Sequence, residues 1–257
     1  MIQAQMRNRF QGKTVAITGG AGDIGSVIAL AFVCEGANVS IGDIDIKRAK
    51  KVANDACSVG PGSAEASSLD VTDIDSIHGW IDATVKKYGG LDILVNTAAV
   101  MPVKPSLEVT AEDWDRTHAI NLRGTFFCAQ SAIAQMKRQG RGGRIVSIAA
   151  IDAKCGVPAV AFYSSTKAGI VNLSQALAVE FAKDAITVNC VCPGWVKTDG
   201  VLNNTSWNWR EGIKKIPMGR MAEPREVADL ILYLASDSAG AITGESVNID
   251  CGEWAGI

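Results

Sequence analysis

The run Lys13-Thr14-Val15-Ala16-Ile17-Thr18 passes directly into Gly19-Gly20-Ala21-Gly22-Asp23-Ile24-Gly25, and a helical pattern starts at once behind it. Few folds accept that order. An apolar strand must end in a turn tight enough to need glycine, and the chain must then enter a helix whose first N–H groups face the turn. Gly20, Gly22 and Gly25 match G-x-G-x-x-G in the strand–turn–helix setting that gives the spacing its force. Such a turn admits a diphosphate to backbone N–H groups at a helix N-terminus. The competing reading is a tight βα turn with no ligand.

The same alternation runs on through the chain. Strands are predicted at Thr14–Thr18, Asn38–Asp43, Ala64–Asp70, Ile93–Asn96, Gly143–Ala149, Ile186–Cys192 and Ser246–Ile249, and helices near 23–35, 46–57, 73–88, 111–138, 163–182 and 224–235. Strands apolar on both sides and alternating with helices make a mostly parallel sheet with helices on both faces. Right-handed crossovers then give an α/β fold, a doubly wound Rossmann-type domain of seven strands, with ligands at the carboxyl ends. No repeat, low-complexity tract or linker interrupts it, so residues 1–257 read as one nucleotide-binding and catalytic domain. Residues 195–220 alone lack sheet periodicity. They hold Trp195, Trp207, Trp209, Arg210, Lys214 and Lys215, and read as a substrate-binding loop or lid within that domain.

Composition excludes several classes. With 47% hydrophobic and 20% charged residues the chain is compact and enzyme-like rather than disordered. A net charge of −2 with dispersed Lys and Arg argues against a nucleic-acid partner. No stretch approaches the ~20 apolar residues that cross a bilayer, and Met1–Arg7 has no signal-peptide core. The expected location is the cytoplasm, with no membrane association. The seven cysteines are odd in number and scattered. Cys190 and Cys192 share one face of a strand, but no second pair exists and His78 and His118 lie far apart. They read as small apolar residues, and no metal is expected.

Two further features carry chemistry. The second strand ends at Asp43, about 20 residues beyond the glycine turn, where a carboxylate can accept from ribose hydroxyls. It would repel a 2′-phosphate, and no arginine lies in the turn or directly after Asp43. NAD is therefore expected rather than NADP, with Lys47 and Arg48 the nearest cations. Tyr163 and Lys167 stand one helical turn apart, so phenol and ammonium share a face. A nearby cation favours the phenolate and lowers a tyrosine pKa from its usual ~10. Alone, such a pair is more often a solvated helix face.

Taken with the turn and Asp43, the pair makes the sequence resemble the short-chain dehydrogenase/reductase family over almost its whole length. Leu69-Asp70-Val71 resembles the element that holds adenine, and Val95-Asn96-Thr97-Ala98-Ala99 the fourth-strand Asn-Asn-Ala-Gly. Asn121, in Ile120-Asn121-Leu122-Arg123-Gly124, matches the family's catalytic asparagine. Pro193-Gly194-Trp195-Val196-Lys197-Thr198 matches the loop around the nicotinamide. The ending Thr243-Gly244-Glu245…Asp250-Cys251-Gly252 also fits. The resemblance implies an NAD site built from Gly19, Gly22, Asp23, Ile24, Gly25, Asp43, Ile44, Asp70, Val71, Asn96, Ala98, Tyr163, Lys167, Pro193, Gly194, Val196 and Thr198. It implies that Tyr163 takes the proton of a substrate hydroxyl while hydride passes to nicotinamide. Lys167 would hold the nicotinamide ribose and Asn121 a relay water. A homo-oligomer, tetramer or dimer, is implied too, with the 163–182 helix and the last strand as interfaces.

The departures matter as much. Asp23 stands where the family has glycine in its phosphate turn; Thr97 and Ala99 replace Asn and Gly, and Cys251 a glycine. The serious one is Ala150. The family's substrate-binding serine lies thirteen residues before the tyrosine, and that position is Ala150 here. Ser147, three positions back along the strand, points to the opposite face. Three readings are open: a deliberate Ser→Ala active-site mutant, a natural enzyme using another group such as Asp152 or a water, and a non-catalytic NAD-binding relative. Substrate contacts are expected from Ala150, Asp152, Trp195 and Trp207. Aromatic faces suit polyols, sugars and small cyclic or secondary alcohols, and the lid cations suit a carboxylate, phosphate or sulfonate. Equally, the tryptophans could pack the lid and the cations be solvated. A serine hydrolase is excluded for want of G-x-S-x-G after a strand.

Overall fold

The structure, a computed structural model, describes residues 8–205 and 208–256. Its strands are β1 (Thr14–Thr18), β2 (Asn38–Asp43), β3 (Ser63–Ser68), β4 (Ile93–Asn96), β5 (Gly143–Ile148), β6 (Ile186–Pro193) and β7 (Ser246–Ile249). They form one seven-stranded sheet in the order β3-β2-β1-β4-β5-β6-β7. Every neighbouring pair is parallel, so the sheet is wholly rather than mostly parallel. All carboxyl ends therefore lie on one edge. The order reverses between β1 and β4, which opens a crevice there.

The helices are α1 (Asp23–Cys34), α2 (Ile46–Val59), α3 (Ile74–Tyr88), α4 (Ala111–His118), α5 (Gly124–Gln139), α6 (Ala161–Phe181), α7 (Asp199–Leu202), α8 (Trp209–Ile213) and α9 (Pro224–Ala235). They cover both sheet faces. Val15, Ile17, Ile41, Val95 and Val191 pack with Ile28 and Phe32 of α1 and Ile231 of α9. On the other face Ala16, Leu94, Ile145 and Val188 pack with Trp80 of α3, Met136 of α5 and Leu177 of α6. Alternation along each strand feeds the two cores in turn. β1, β4 and β6 are buried at every residue, which is why apolar side chains dominate them.

Capping fixes the helix starts. The Asp45 carboxylate accepts from Arg48 N at 3.0 Å at the head of α2. Thr110 and Asp113 form a reciprocal capping box on α4. The helix expected over 111–138 is present but irregular. α4 and α5 are joined by a π turn, Ala119–Arg123, which inserts one residue and shifts the phase of α5 relative to α4. α5 then begins at Gly124 because it runs against the chain at Val71: a Cβ there would sit 2.8 Å from Val71 O. Among the described residues no helix is long and apolar enough to cross a membrane. Among them, too, no cluster of His, Cys, Asp or Glu suits a metal.

Candidate active site

The glycine turn after β1 is held by close approach. Gly19 has φ +61°, and a Cβ on it would lie 2.7 Å from Ala98 Cα. A Cβ on Gly25 would lie 2.3 Å from Gly19 O, so α1 can pack onto the turn only through glycine. The Thr97 hydroxyl donates to Thr18 O and, at 3.2 Å, to Gly19 O, fastening the end of β4 to the same turn. The N–H groups of Ala21 and Asp45 donate to opposite oxygens of Asp43, each at 2.9 Å. That carboxylate is thus fixed at the edge of the crevice with lone pairs to spare. Beside it Ile44 is 71% exposed, an apolar side chain with an open face. Asp70 accepts from Thr72 N and Oγ1 at 2.8 and 2.7 Å, and Val71 is buried. An open glycine turn on a helix N-terminus, a fixed carboxylate and an uncovered aliphatic side chain fit an adenosine diphosphate moiety.

Asp23, the first residue of α1, bridges three segments. Its Oδ1 lies 2.7 Å from Arg48 Nη2 in α2, and its Oδ2 accepts from Gly200 N in α7 at 3.1 Å. Burial raises the Asp23 pKa, but the Gly200 and Arg48 hydrogen bonds outweigh it and hold the carboxyl below the usual range.

Tyr163 and Lys167 lie in the first two turns of α6, both buried. Tyr163 packs with Ala150, Val160 and Val103. Lys167 Nζ lies 5.6 Å from the Tyr163 ring centroid and donates to Ile148 O at 2.8 Å. Burial pushes the ammonium down to about 8, against the Cys192, Asp152 and Cys190 acids that favour it. The sequence expectation of a lowered phenol is not met in this state. Burial, and then the Asp152 carboxylate, hold Tyr163 well above the ordinary tyrosine range. The cation that would counter them is turned to the β5 carbonyl and is itself desolvated. Burial also raises Asp152, opposed by Lys167.

Asn121 sits in the π turn with no exposed surface. Its Oδ1 accepts from Val100 N and its Nδ2 donates to Val100 O, both at 2.9 Å, and to Thr166 Oγ1 at 3.2 Å. The side chain ties the end of β4 to α6, one turn from Tyr163. Ser147 is no stand-in for a serine at 150: its hydroxyl accepts from Asn96 Nδ2 at 3.2 Å between β4 and β5. The Asn96 Oδ1 is buried without a hydrogen-bond partner among the described residues.

Pro193 closes β6, and Gly194 N donates to Ile249 O at 3.2 Å. A Cβ on Gly194 would meet Asp250 Cβ and Glu253 Oε2, both at 2.9 Å. Val196 bridges to Ala222, and Thr198 caps α7 by accepting from Val201 N at 3.3 Å. Trp195 packs over Gly212 of α8 and hydrogen-bonds Glu253, whose pKa is raised by burial and by Asp152 despite that bond. Trp207 lies outside the described residues. Two lid cations have other partners: Arg210 stacks over Trp209 at 4.5 Å, and Lys214 pairs with Glu211 at 2.7 Å. Glu253 and Gly200 carried no motif, and the Asp23–Arg48 pair spans 25 positions; only the fold brings them to the site. Cys190 and Cys192 are buried beneath it as free thiols.

A parallel sheet with this turn at its crevice and a tyrosine–lysine pair on its carboxyl edge defines a nicotinamide-dependent oxidoreductase. Residues 19–253 match the family model described as enoyl-(acyl carrier protein) reductase. Sorbitol dehydrogenase of Cereibacter sphaeroides is 35% identical over 96% of this chain and 99% of its own. Galactitol 2-dehydrogenase of Agrobacterium fabrum is 36% identical over the same shares. The crystal structure of a short-chain type dehydrogenase/reductase from Mycobacterium marinum superposes with a TM-score of 0.89 at 34% identity, covering 98% of each chain. The chain belongs to the short-chain dehydrogenase/reductase family. The family model and the relatives carry different substrate names, so membership fixes the fold and the class of chemistry rather than the substrate.

Proposed function

We propose that this chain is a cytoplasmic NAD-dependent oxidoreductase that interconverts a secondary alcohol (a polyol, sugar or cyclic alcohol) and its ketone, with Tyr163 as acid and base. The observation that carries the reading is the meeting of Tyr163 with Ala150 at the carboxyl end of β5, with Lys167 anchored one turn deeper. Bound nicotinamide supplies the hydride acceptor or donor. Gly19, Gly22, Asp23, Ile24 and Gly25 would hold the diphosphate, Asp43 the ribose, and Ile44, Asp70 and Val71 the adenine. Asn96, Ala98, Pro193, Gly194, Val196, Thr198 and Lys167 would line the nicotinamide half.

In reduction Tyr163, held protonated by burial and Asp152, gives its proton to the carbonyl oxygen; in oxidation it must first lose that proton before it can take the one on the substrate hydroxyl. Lys167, brought to about 8 by burial, exchanges its own proton near neutrality and so can recharge the phenol. Asn121 holds α6 in register with the end of β4 and would carry the relay water. Residues 195–220 act as the substrate lid of a single catalytic unit, with Trp195 and Asp152 as its substrate contacts among the described residues. Sorbitol and galactitol dehydrogenases among the relatives support the polyol class. A homo-oligomer is proposed on the apolar side chains that α6 and α4 leave outward, Val179 at 84% and Trp114 at 46% exposure.

Ala150 removes one hydrogen-bond donor from the reacting oxygen, a loss that costs ~10²–10³ in turnover where such donors have been deleted. It also favours a second reading, a dinucleotide-binding relative that performs no catalysis. The test is calorimetric binding of NAD and NADP, followed by an alcohol panel with the parent and Ala150→Ser. NAD binding with turnover rising at least ~10²-fold in the variant supports the enzyme reading. Equal turnover in both assigns the serine's work to another group, Asp152 first. No turnover in either, with NAD bound, supports the non-catalytic reading.

A further inference from the structure

We propose that Asp23 sets the choice between NAD and NADP by occupying the guanidinium of Arg48; this rests on the nucleotide site proposed above. Three hydrogen bonds place Arg48 at that site. Ala21 N and Asp45 N hold the Asp43 carboxylate from either side, and Arg48 N donates to Asp45 Oδ1. Arg48 thus stands on the first turn of α2, one residue cluster away from the carboxylate assigned to the ribose. Its side chain, partly exposed, reaches back to the first residue of α1 and lies 2.7 Å from Asp23 Oδ1.

An arginine there is a ready fork for a phosphate. Its side chain is 53% exposed, so a nucleotide phosphate can reach it. Paired with Asp23, the guanidinium keeps its charge but the pair is neutral overall, and the Asp43 carboxylate remains to meet a 2′-position. The same pairing makes an acidic residue tolerable beside a diphosphate, whose charge a bare carboxylate at the helix N-terminus would oppose. As a plain surface ion pair it would add little to stability. Its consequence lies in position. Asp23 Oδ2 meanwhile accepts from Gly200 N, so the residue that masks the cation also touches the lid.

The experiment measures dissociation constants of NAD and NADP by calorimetry on the full chain and on Asp23→Asn, Asp23→Gly, Arg48→Ala and the double variant Asp23→Asn/Arg48→Ala. Asparagine keeps an acceptor for Gly200 N and removes the charge. The expected result is a gain of roughly tenfold in NADP relative to NAD for Asp23→Asn and for Asp23→Gly. That gain disappears in the double variant, and Arg48→Ala alone leaves the ratio near the parent's. An unchanged ratio in Asp23→Asn overturns the proposal. So does a gain that survives removal of Arg48, because then only the lost negative charge acts. A shift in Asp23→Gly alone assigns the effect to the lid contact and also overturns it. In each of these the parent still binds a dinucleotide; a parent that binds neither overturns the nucleotide site and this inference together.

Discussion

The two ends of the crevice are built on different principles. At the turn after β1, glycines are pressed against backbone, and each Asp43 oxygen already accepts a main-chain N–H. Around the head of α6, Tyr163, Lys167, Asp152 and Glu253 are titratable groups drawn out of water, and their pKa values are displaced by burial. Above them lies a segment of two short helices, α7 and α8, that runs outside the sheet. The first region is a fixed mould; the second holds electrostatic tension under a thin cover. A mould suits a ligand shared by many enzymes, and displaced proton affinities suit a step that moves a proton.

Four experiments press on this contrast. The largest effect is expected from Tyr163→Phe in the Ala150→Ser background: turnover falls ~10²–10⁴-fold while NAD affinity changes little. A parallel loss of NAD binding would show that the two sides are not separate. Next is Lys167→Met. The buried ammonium titrates at about 8 against a usual 10.5, so the folded state binds fewer protons between these values. Stability of the parent therefore rises with pH across that window, and the burial penalty is full below it. The advantage of Lys167→Met in chemical unfolding should be largest at pH 7 and shrink by ~3 kcal/mol toward pH 10. A gap independent of pH would remove the claim of stored tension.

Gly25→Ala tests the mould. Its Cβ would lie 2.3 Å from Gly19 O, a backbone atom that cannot swing aside. A loss of ~1–3 kcal/mol in denaturant unfolding is expected, with weakened NAD binding. Gly212→Ala is the counterpart under the lid, where the new Cβ would meet Trp195 Cζ2 at 3.2 Å. An indole on a thin cover can shift, so less than ~0.5 kcal/mol is expected. Equal costs at the two glycines would erase the distinction.

The same contrast decides what can be read from sequence. β1, β2, β4 and β7 have the boundaries predicted for them; β1 and β4 are buried at every residue, and such strands leave Val, Ile and Leu signatures. The sequence pattern carries β3 on to Asp70 because Leu69 continues its apolar run. In the fold Leu69 has already left the strand and packs with Trp80 in the core. The π turn is hidden because one inserted residue changes the phase of a helix without changing its composition. The Tyr163–Lys167 pair comes from spacing within one helix, and Ala150 from the family resemblance, thirteen residues before the tyrosine. The proton affinity of Tyr163 does not, since it depends on desolvation and on Asp152, which lies eleven residues away in the chain. The partners of Asp23 are equally invisible; no local pattern links it to residue 200.

That last separation has a consequence for how the molecule comes into being. Asp23 and Gly200 are 177 positions apart, and the threonine contacts that join β1 to β4 span 79. At synthesis rates of 5–20 residues per second, the phosphate turn leaves the ribosome roughly 10–35 s before its lid partner exists. Every neighbouring strand is joined through a crossover, so loop closure must precede the contacts that reward it. The oldest part of the nascent chain is thus completed by one of the youngest, and a truncated product would carry a glycine turn without its Gly200 contact.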